Sequence, residues 1–216
     1  MIPSAKLRRA TMRLTDVSRR WGHRPGYIRT LYWMWARIYD LTIGWDRAYR
    51  ANARMMVEAT VEAGDRVLDV GVGTALLAEY GSPIAAEYVG VDISAAMLGR
   101  AARKIVTDEM ANVALRWARA DTLPFDDDHF DVVVSSFMLP HVERRERTAV
   151  LAEMSRVLRP GGRLGLFLAR GEIAPLFPTR QELEHHLADA GYVNPRIEDR
   201  DDVYRVVVAT KPDAPG

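Results

Sequence analysis

Short apolar runs alternate with segments of helical length from Asp65 onward, and this alternation constrains the fold more than any other feature of the chain. Parallel strands require crossover connections, which are usually helices, so the pattern predicts a doubly wound α/β domain with a seven-stranded, mostly parallel sheet. The predicted strands are 66–70, 87–91, 113–118, 130–135, 162–169, 193–199 and 203–210. The helices predicted between them are 74–80, 94–106, 143–158 and 179–190, with N-caps at Ser94 and Thr179 and a stop at Pro160-Gly161-Gly162.

A basic helical segment precedes this sheet. Helices are predicted at 6–21, 26–39 and 47–62. Residues 1–37 contain nine basic groups and one acid, a net charge of +8, whereas the rest of the chain is −7. We therefore divide the chain into a basic helical N-terminal extension, 1–45, and an α/β domain, 46–216.

The first helix of the extension has a single apolar stripe on an otherwise basic surface. The stripe consists of Leu7, Ala10, Leu14, Val17 and Trp21. This pattern is typical of a helix in an anionic membrane interface, although packing within the protein or between copies, and less favourably nucleic-acid binding, would also use it. No apolar run is long enough to span a bilayer and no secretory signal is evident. We expect a cytoplasmic protein with peripheral contact to the inner membrane surface through residues 1–24.

The absence of cysteine excludes several kinds of chemistry. With no cysteine in the chain, disulfides, thiolate metal sites and cysteine nucleophiles are all ruled out. Three consecutive aspartates at 126–128 lie at a turn before a strand, without histidines at ligand spacing. We interpret them as a solvated loop and predict no metal site.

Glycines and an acid follow the first two predicted strands. Gly71 and Gly73 permit a tight turn and close backbone approach of a ligand, with the next helix presenting its first amides. Asp92 ends the second strand, where a carboxylate can accept hydrogen bonds from both ribose hydroxyls. A dinucleotide site is disfavoured, because Leu76 occupies the third glycine position of its fingerprint.

A third acid follows the third strand. Asp121 is placed to accept the exocyclic amine of an adenine, with Leu123 against the ring. Acids after three successive strands suit a ligand with a ribose, an adenine and a positively charged end.

His141 lies just past the fourth strand, beside the expected position of a second substrate. A histidine there could take a proton from that substrate, or could instead cap the following helix or hydrogen-bond a carbonyl. The short segment after the fifth strand leaves the roof of the substrate site to aromatic residues of the extension. These are Tyr27, Tyr32, Trp35 and Tyr39.

Four sequence blocks together resemble the class I S-adenosylmethionine (SAM)-dependent methyltransferases. They are LDVGVGTA at 68–75, VGVDIS at 89–94, ADTLPFDDDHFDVVVSS at 120–136 and LAEMSRVLRPGGRLGLF at 151–167. The resemblance runs from about residue 39 to 212 and implies the Rossmann-like methyltransferase fold. Within the class the chain is similar to the ubiquinone/menaquinone C-methyltransferases and the bacterial phosphatidylethanolamine N-methyltransferases, through Tyr39-Asp40-Leu41, Gly44 and Asp46-Arg47.

The resemblance implies SAM as cofactor and assigns site residues. Asp69, Gly71 and Gly73 would contact the methionine end, and Tyr39 would act as a catalytic lid. The remaining implied cofactor contacts are Asp92, Ile93, Met97, Asp121, Thr122, Leu123 and Ser135. One departure is Ala75, where the family usually has glycine, so that an added methyl would face the cofactor turn.

The expected reaction is methyl transfer to a small, lipophilic or membrane-associated acceptor. A phospholipid amine and an isoprenoid or quinone-type compound are both candidates, with Tyr27, Tyr32, Trp35 and His141 around the acceptor. A soluble small-molecule acceptor, or an inactive methyltransferase-like binding module, are the alternatives. The oligomeric state is left open.

Overall fold

The computed structural model describes residues 47–172 and 176–214. The extension, with Tyr27, Tyr32, Trp35 and Tyr39, lies outside these residues, so the predictions made for it and the boundary at residue 45 stay predictions.

Seven strands form one sheet, as the sequence predicted. They are β1 (Arg66–Val70), β2 (Glu87–Asp92), β3 (Val113–Trp117), β4 (Phe130–Ser136), β5 (Leu158–Ala169), β6 (Val193–Arg200) and β7 (Tyr204–Thr210). Their spatial order is β3-β2-β1-β4-β5-β7-β6. The first five strands are parallel, while β7 runs antiparallel to both β5 and β6. The mostly parallel, doubly wound sheet is therefore confirmed.

Helices cover both faces of this sheet. They are α1 (Arg47–Glu58), α2 (Leu76–Gly81), α3 (Ala95–Thr107), α4 (Arg147–Val157) and α5 (Arg180–Asp189). Alternate residues of β1 and β4 point to opposite faces, so that Val67 and Val132 pack with α1 and α2 while Leu68 and Val133 pack with α4 and α5. The core therefore consists of two apolar layers separated by the sheet.

The predicted caps are confirmed by hydrogen bonds. The Ser94 hydroxyl accepts from the Met97 amide at the start of α3. Thr179 and Glu182 form a reciprocal capping box at the start of α5. These side chains satisfy amides that have no partner inside the helix.

Several predicted boundaries are wrong. The helix expected over 143–158 is a short 3-10 helix, Arg144–Glu146, followed by α4, which ends at Val157. Leu158 already has extended backbone and pairs with Phe130, so β5 starts before Pro160 and the following glycines lie inside the strand beside a bulge. The helix expected from Thr74 starts at Leu76, because Ala75 has left-handed backbone, with φ 64°.

Ala75 also differs from the expected placement of its methyl group. Its side chain is fully buried and packs in the apolar layer that contains α1 and α2. The methyl group therefore fills core space, and the left-handed backbone explains why glycine would be tolerated there without strain.

Candidate functional site

The strand order reverses between the neighbouring parallel strands β1 and β4. From β1 the chain adds β2 and β3 on one side of the sheet, and from β4 it adds β5 on the other. In open α/β sheets, ligands bind outside the carboxyl ends of the strands at this switch point. Ser135 lies there, fully buried, and its hydroxyl donates to the Val70 carbonyl at 2.7 Å. Ser135 thus joins the two strands beneath the site, and its predicted contact with the cofactor stays a prediction.

The glycine turn after β1 is fastened to the end of β2. The amides of Gly71 and Val72 both donate to the Val91 carbonyl, each at 2.9 Å. Gly73 donates its amide to Oδ2 of Asp92 at 3.0 Å. Gly71 and Gly73 have φ angles of 77° and 55°, a region that favours glycine. The structure therefore brings the predicted Gly71, Gly73 and Asp92 together.

Asp92 is partly buried at the mouth of this turn. Its Oδ1 accepts the Ser94 amide at 2.8 Å, while Oδ2 accepts from Gly73. Burial raises the pKa of Asp92, against the effect of its backbone hydrogen bonds. A carboxylate has about four acceptor positions, and the amides of Ser94, Gly73 and Ile93 leave one of them for a hydroxyl group. This geometry fits the predicted role of binding a ribose.

Asp69 lies deeper, beneath the glycine turn, and only 1% of its surface is exposed. Tyr88 on β2 donates its hydroxyl to Oδ2 of Asp69 at 3.0 Å. Oδ1 has no hydrogen-bond partner among the described residues. Burial raises the pKa of Asp69 to about 7, more than the Tyr88 hydrogen bond lowers it. An acceptor atom that is buried and lacks a partner invites a cationic or hydrogen-bonding ligand group.

Met138 closes the other side of the glycine turn. A Cβ on Gly71 would lie 2.7 Å from Cγ of Met138, so only glycine fits against this side chain. Met138 follows Phe137, whose φ of 55° is unusual for a bulky residue. The turn after β1 and the segment after β4 therefore form one continuous wall.

Asp121 has the opposite environment to Asp69. Its side chain is 37% exposed, and Arg119 binds both of its oxygens with a guanidinium fork. The Arg119 hydrogen bond lowers the pKa of Asp121. The Thr122 hydroxyl and the Asp121 amide also donate to this carboxylate, so an adenine amine would have to replace one of these local donors.

The remaining predicted cofactor contacts line the same edge of the sheet. Ile93 follows Asp92 directly and is 56% exposed, which is unusual for a large apolar side chain. Met97 lies in the first turn of α3, Thr122 is exposed, and Leu123 is buried in the core below the loop. Ile93 offers an apolar surface for a planar ring beside Asp92.

His141 ends the short 3-10 helix Leu139–His141, and its amide donates to the Met138 carbonyl at 2.9 Å. The residue is exposed. Desolvation by the surrounding protein lowers the pKa of His141 to about 4. The imidazole is therefore neutral at physiological pH, and the lowered pKa also makes it a weaker base than an ordinary histidine.

These residues fit SAM. The partnerless buried oxygen of Asp69 suits the cationic amino-acid end, and the Asp92 oxygens suit the ribose. Ile93 and the loop with Asp121 suit the adenine. A metal is not needed for this set of groups.

Comparison with known proteins agrees with the geometry. Residues 67–162 match the family described as methyltransferase domain. The solved structure of a SAM-dependent methyltransferase from Aquifex aeolicus has a TM-score of 0.68 at 21% identity, covering 74% of this chain and 89% of that one. Residues 67–162 of this chain thus match a methyltransferase domain, and the described residues share the fold of that SAM-dependent methyltransferase.

Two curated relatives of the methyltransferase domain have higher identity. The demethylmenaquinone methyltransferase of Mycobacterium bovis (strain BCG / Pasteur 1173P2) is 41% identical over 135 residues, which are 60% of this chain and 53% of the relative. The ubiquinone/menaquinone biosynthesis C-methyltransferase of Geobacter sulfurreducens is 36% identical over 168 residues, 73% of this chain and 61% of the relative. The chain thus matches between about half and three fifths of the length of these relatives.

Sequence reasoning missed Tyr88, Met138, Glu153 and Arg156. Tyr88 could have been found, because the two-residue period of β2 places it on the same face as Gly90 and Asp92. Glu153 and Arg156 lie within one of the four matching blocks, but their targets are on a distant loop. Met138 gave no signal in the sequence.

Proposed function

We propose that the protein transfers a methyl group from SAM to a lipophilic acceptor with a quinone-type ring. The observation that carries this proposal is 41% identity to a demethylmenaquinone methyltransferase over 135 residues, 60% of this chain. The name of a second relative includes C-methyltransferase, which supports a ring carbon as the acceptor atom. A phospholipid amine, the other acceptor expected from the sequence, has no support from these relatives.

The bound cofactor supplies an electrophilic methyl group. The residues of the chain have to bind and orient the two substrates and exclude water from between them. Gly71, Gly73 and Asp92 hold the turn against which the cofactor binds, and Asp69 receives its cationic end. Met138 and Phe137 provide an apolar wall beside this turn.

Methylation of a ring carbon would form one carbon–carbon bond and break the sulfur–methyl bond of SAM and the ring carbon–hydrogen bond, releasing S-adenosylhomocysteine and one proton. We assign His141 as the group that takes this proton, because its imidazole is neutral and lies three residues from Met138 on the acceptor side. Replacing His141 by Ala should lower turnover by roughly tenfold or more while leaving SAM affinity unchanged. Unchanged turnover would make His141 a structural residue.

The acceptor can be identified with three parallel incubations. The full chain receives methyl-labelled SAM together with chemically reduced demethylmenaquinone in detergent, phosphatidylethanolamine vesicles or a soluble catechol. We expect label only in the quinone, whereas label in the lipid amine or the catechol would replace the proposed acceptor. SAM binding without methyl transfer to any of the three acceptors would indicate an inactive binding module.

Membrane contact through residues 1–24 is a separate proposal, supported by the basic and apolar pattern of the first predicted helix. None of the described helices is long and apolar enough to cross a bilayer. Sedimentation with anionic vesicles at low salt should deplete the full chain from the supernatant, but not a chain without residues 1–24. If both forms remain in the supernatant, residues 1–24 do not bind the membrane surface.

A further inference from the structure

The loop between β3 and β4 is held by side chains of α4 in addition to hydrogen bonds within the loop. The Leu123 amide donates to Oε1 of Glu153 at 2.7 Å. The Leu123 carbonyl accepts from Nη2 of Arg156 at 3.0 Å. One residue of α4 therefore binds the amide of Leu123, and another, one turn later, binds its carbonyl.

Arg156 uses all of its hydrogen-bond donors in this arrangement. Nε and Nη2 bind the two oxygens of Glu153, at 2.9 and 2.8 Å. Nη1 binds the Phe125 carbonyl at 2.9 Å and Oδ1 of Asp127 at 2.7 Å. With the bond to Leu123, these contacts account for the five donors of a guanidinium group.

The two side chains remain charged at neutral pH. The hydrogen bond from Arg156 lowers the pKa of Glu153, and the hydrogen bond from Glu153 raises the pKa of Arg156. Glu153 is mostly shielded, with 17% of its side chain exposed. Hydrogen bonds from charged groups in such a setting are stronger than those between neutral groups.

The residues held in this way follow directly on those that face the ligand. Asp121 and Thr122 immediately precede Leu123, whose side chain anchors the loop in the core. A second arginine, Arg116 of β3, donates to the Pro124 carbonyl at 3.0 Å. The carbonyls of Leu123, Pro124 and Phe125 thus all accept hydrogen bonds from arginines. These bonds fix the direction of the backbone that presents Asp121.

We propose that Glu153 and Arg156 are positioning residues for the adenosine end of the cofactor. They fix the peptide groups of Leu123 and thereby the position of Asp121 and Thr122 before any ligand binds. A loop that is already ordered loses less conformational entropy when it binds a ligand, so the pair increases SAM affinity without touching SAM. This inference rests on the assignment of SAM as the cofactor.

The test replaces Arg156 by Lys, which keeps the charge but removes the fork. Arg159→Lys is the matched control, because Arg159 lies three residues further on and binds Asp131 at 2.6 Å without contacting the loop. Calorimetry measures the affinities for SAM, S-adenosylhomocysteine and 5′-methylthioadenosine, which share the adenosine group. We expect Arg156→Lys to weaken all three roughly tenfold, about the loss of one hydrogen bond to a charged group, and Arg159→Lys to change none.

Two outcomes would overturn the inference while wild-type protein still binds SAM. One is equal affinity of the Arg156→Lys and Arg159→Lys variants. The other is a loss for SAM that 5′-methylthioadenosine does not share, since that ligand lacks the amino-acid end. Failure of wild-type protein to bind SAM would instead refute the proposed function.

Hydrogen exchange tests the same idea without a variant, in case Arg156→Lys does not fold. The Leu123 amide of the wild-type protein should be protected in the absence of SAM, to nearly the same degree as amides of β4. Rapid exchange of this amide that slows only when SAM is added would show that the ligand orders the loop, and would overturn the inference.

Discussion

Asp69 and Asp121 are the same residue type at the same edge of the sheet, but the protein treats them in opposite ways. Asp69 is buried with a tyrosine hydroxyl as its partner, and its pKa rises to about 7. Asp121 is exposed with an arginine as its partner, and its pKa falls. Burial penalises the charged form, whereas a nearby opposite charge favours it.

The difference shows that one site can offer different electrostatic environments to the two ends of a ligand. At the glycine turn, a buried acceptor awaits a cationic ligand group, which would favour the charged form of Asp69 when it binds. At the adenine side, the acceptor is charged in advance and its loop is held by Glu153 and Arg156. Binding at the first region is therefore coupled to proton release, and binding at the second is not.

The largest expected effect is on stability when Asp69 is replaced by Asn. Asp69 ionises near 3.8 when unfolded and near 7 when folded, so the folded state holds an extra proton between these values and loses stability as pH rises. Asp69→Asn removes this loss, and its advantage over wild type should grow by about 3 kcal/mol between about pH 5 and about pH 8. Denaturant unfolding of both unliganded proteins at these pH values measures the difference in their free energies of unfolding.

Asp121→Asn is the control for this measurement. Because the pKa of Asp121 is lowered, its contribution to stability is lost only as pH falls through the acid range below the ordinary aspartate value. A pH-dependent advantage of Asp121→Asn above about pH 5 would mean that burial does not distinguish the two carboxylates.

The next effect is on SAM affinity when Asp92 is replaced by Ala. This change removes the acceptor of the Gly73 and Ser94 amides as well as the expected partner of the ribose hydroxyls. SAM affinity measured by calorimetry should fall roughly 30-fold, or about 2 kcal/mol. Glu87→Ala, at the exposed start of the same strand, should bind SAM as the wild type does.

Tyr88→Phe should have a smaller effect that depends on pH. The hydrogen bond from Tyr88 favours the charged form of Asp69, so its removal raises the pKa of Asp69 further. SAM affinity should rise as pH increases through about 7 in the wild type, and at a higher pH in the variant, with a loss of roughly fivefold near neutrality. If SAM affinity rises at the same pH in both proteins, the hydrogen bond from Tyr88 to Asp69 does not affect SAM binding.

The smallest effect is expected at the exposed acid. Arg119→Ala breaks an ion pair in which the Arg119 side chain is 56% exposed. Solvent screening limits such pairs to less than about 1 kcal/mol, so SAM affinity should change less than roughly fivefold. A tenfold loss would show that Arg119, rather than Glu153 and Arg156, sets the position of Asp121.

The pattern of the sequence predicted the sheet well because strands and helices leave local signals. The bounds of β1 and the caps of α3 and α5 agree with the prediction. The start of β5 was wrong, since Leu158 pairs with Phe130, far away in the chain, and this pairing overrides the turn residues Pro160 and Gly161. Glycine beside proline indicates a turn only where the backbone does not pair with a neighbouring strand.

The sequence by itself determined the layered fold, the glycine turn and the acids that follow three successive strands. Each depends on residue type and spacing along the chain, which periodicity and motif placement report. The tertiary structure decided which acid is buried and which is paired, that Met138 fills the space over Gly71, and that Glu153 and Arg156 hold Leu123. Those properties depend on distances between residues far apart in sequence, and electrostatic and packing energies change with such distances rather than with spacing along the chain.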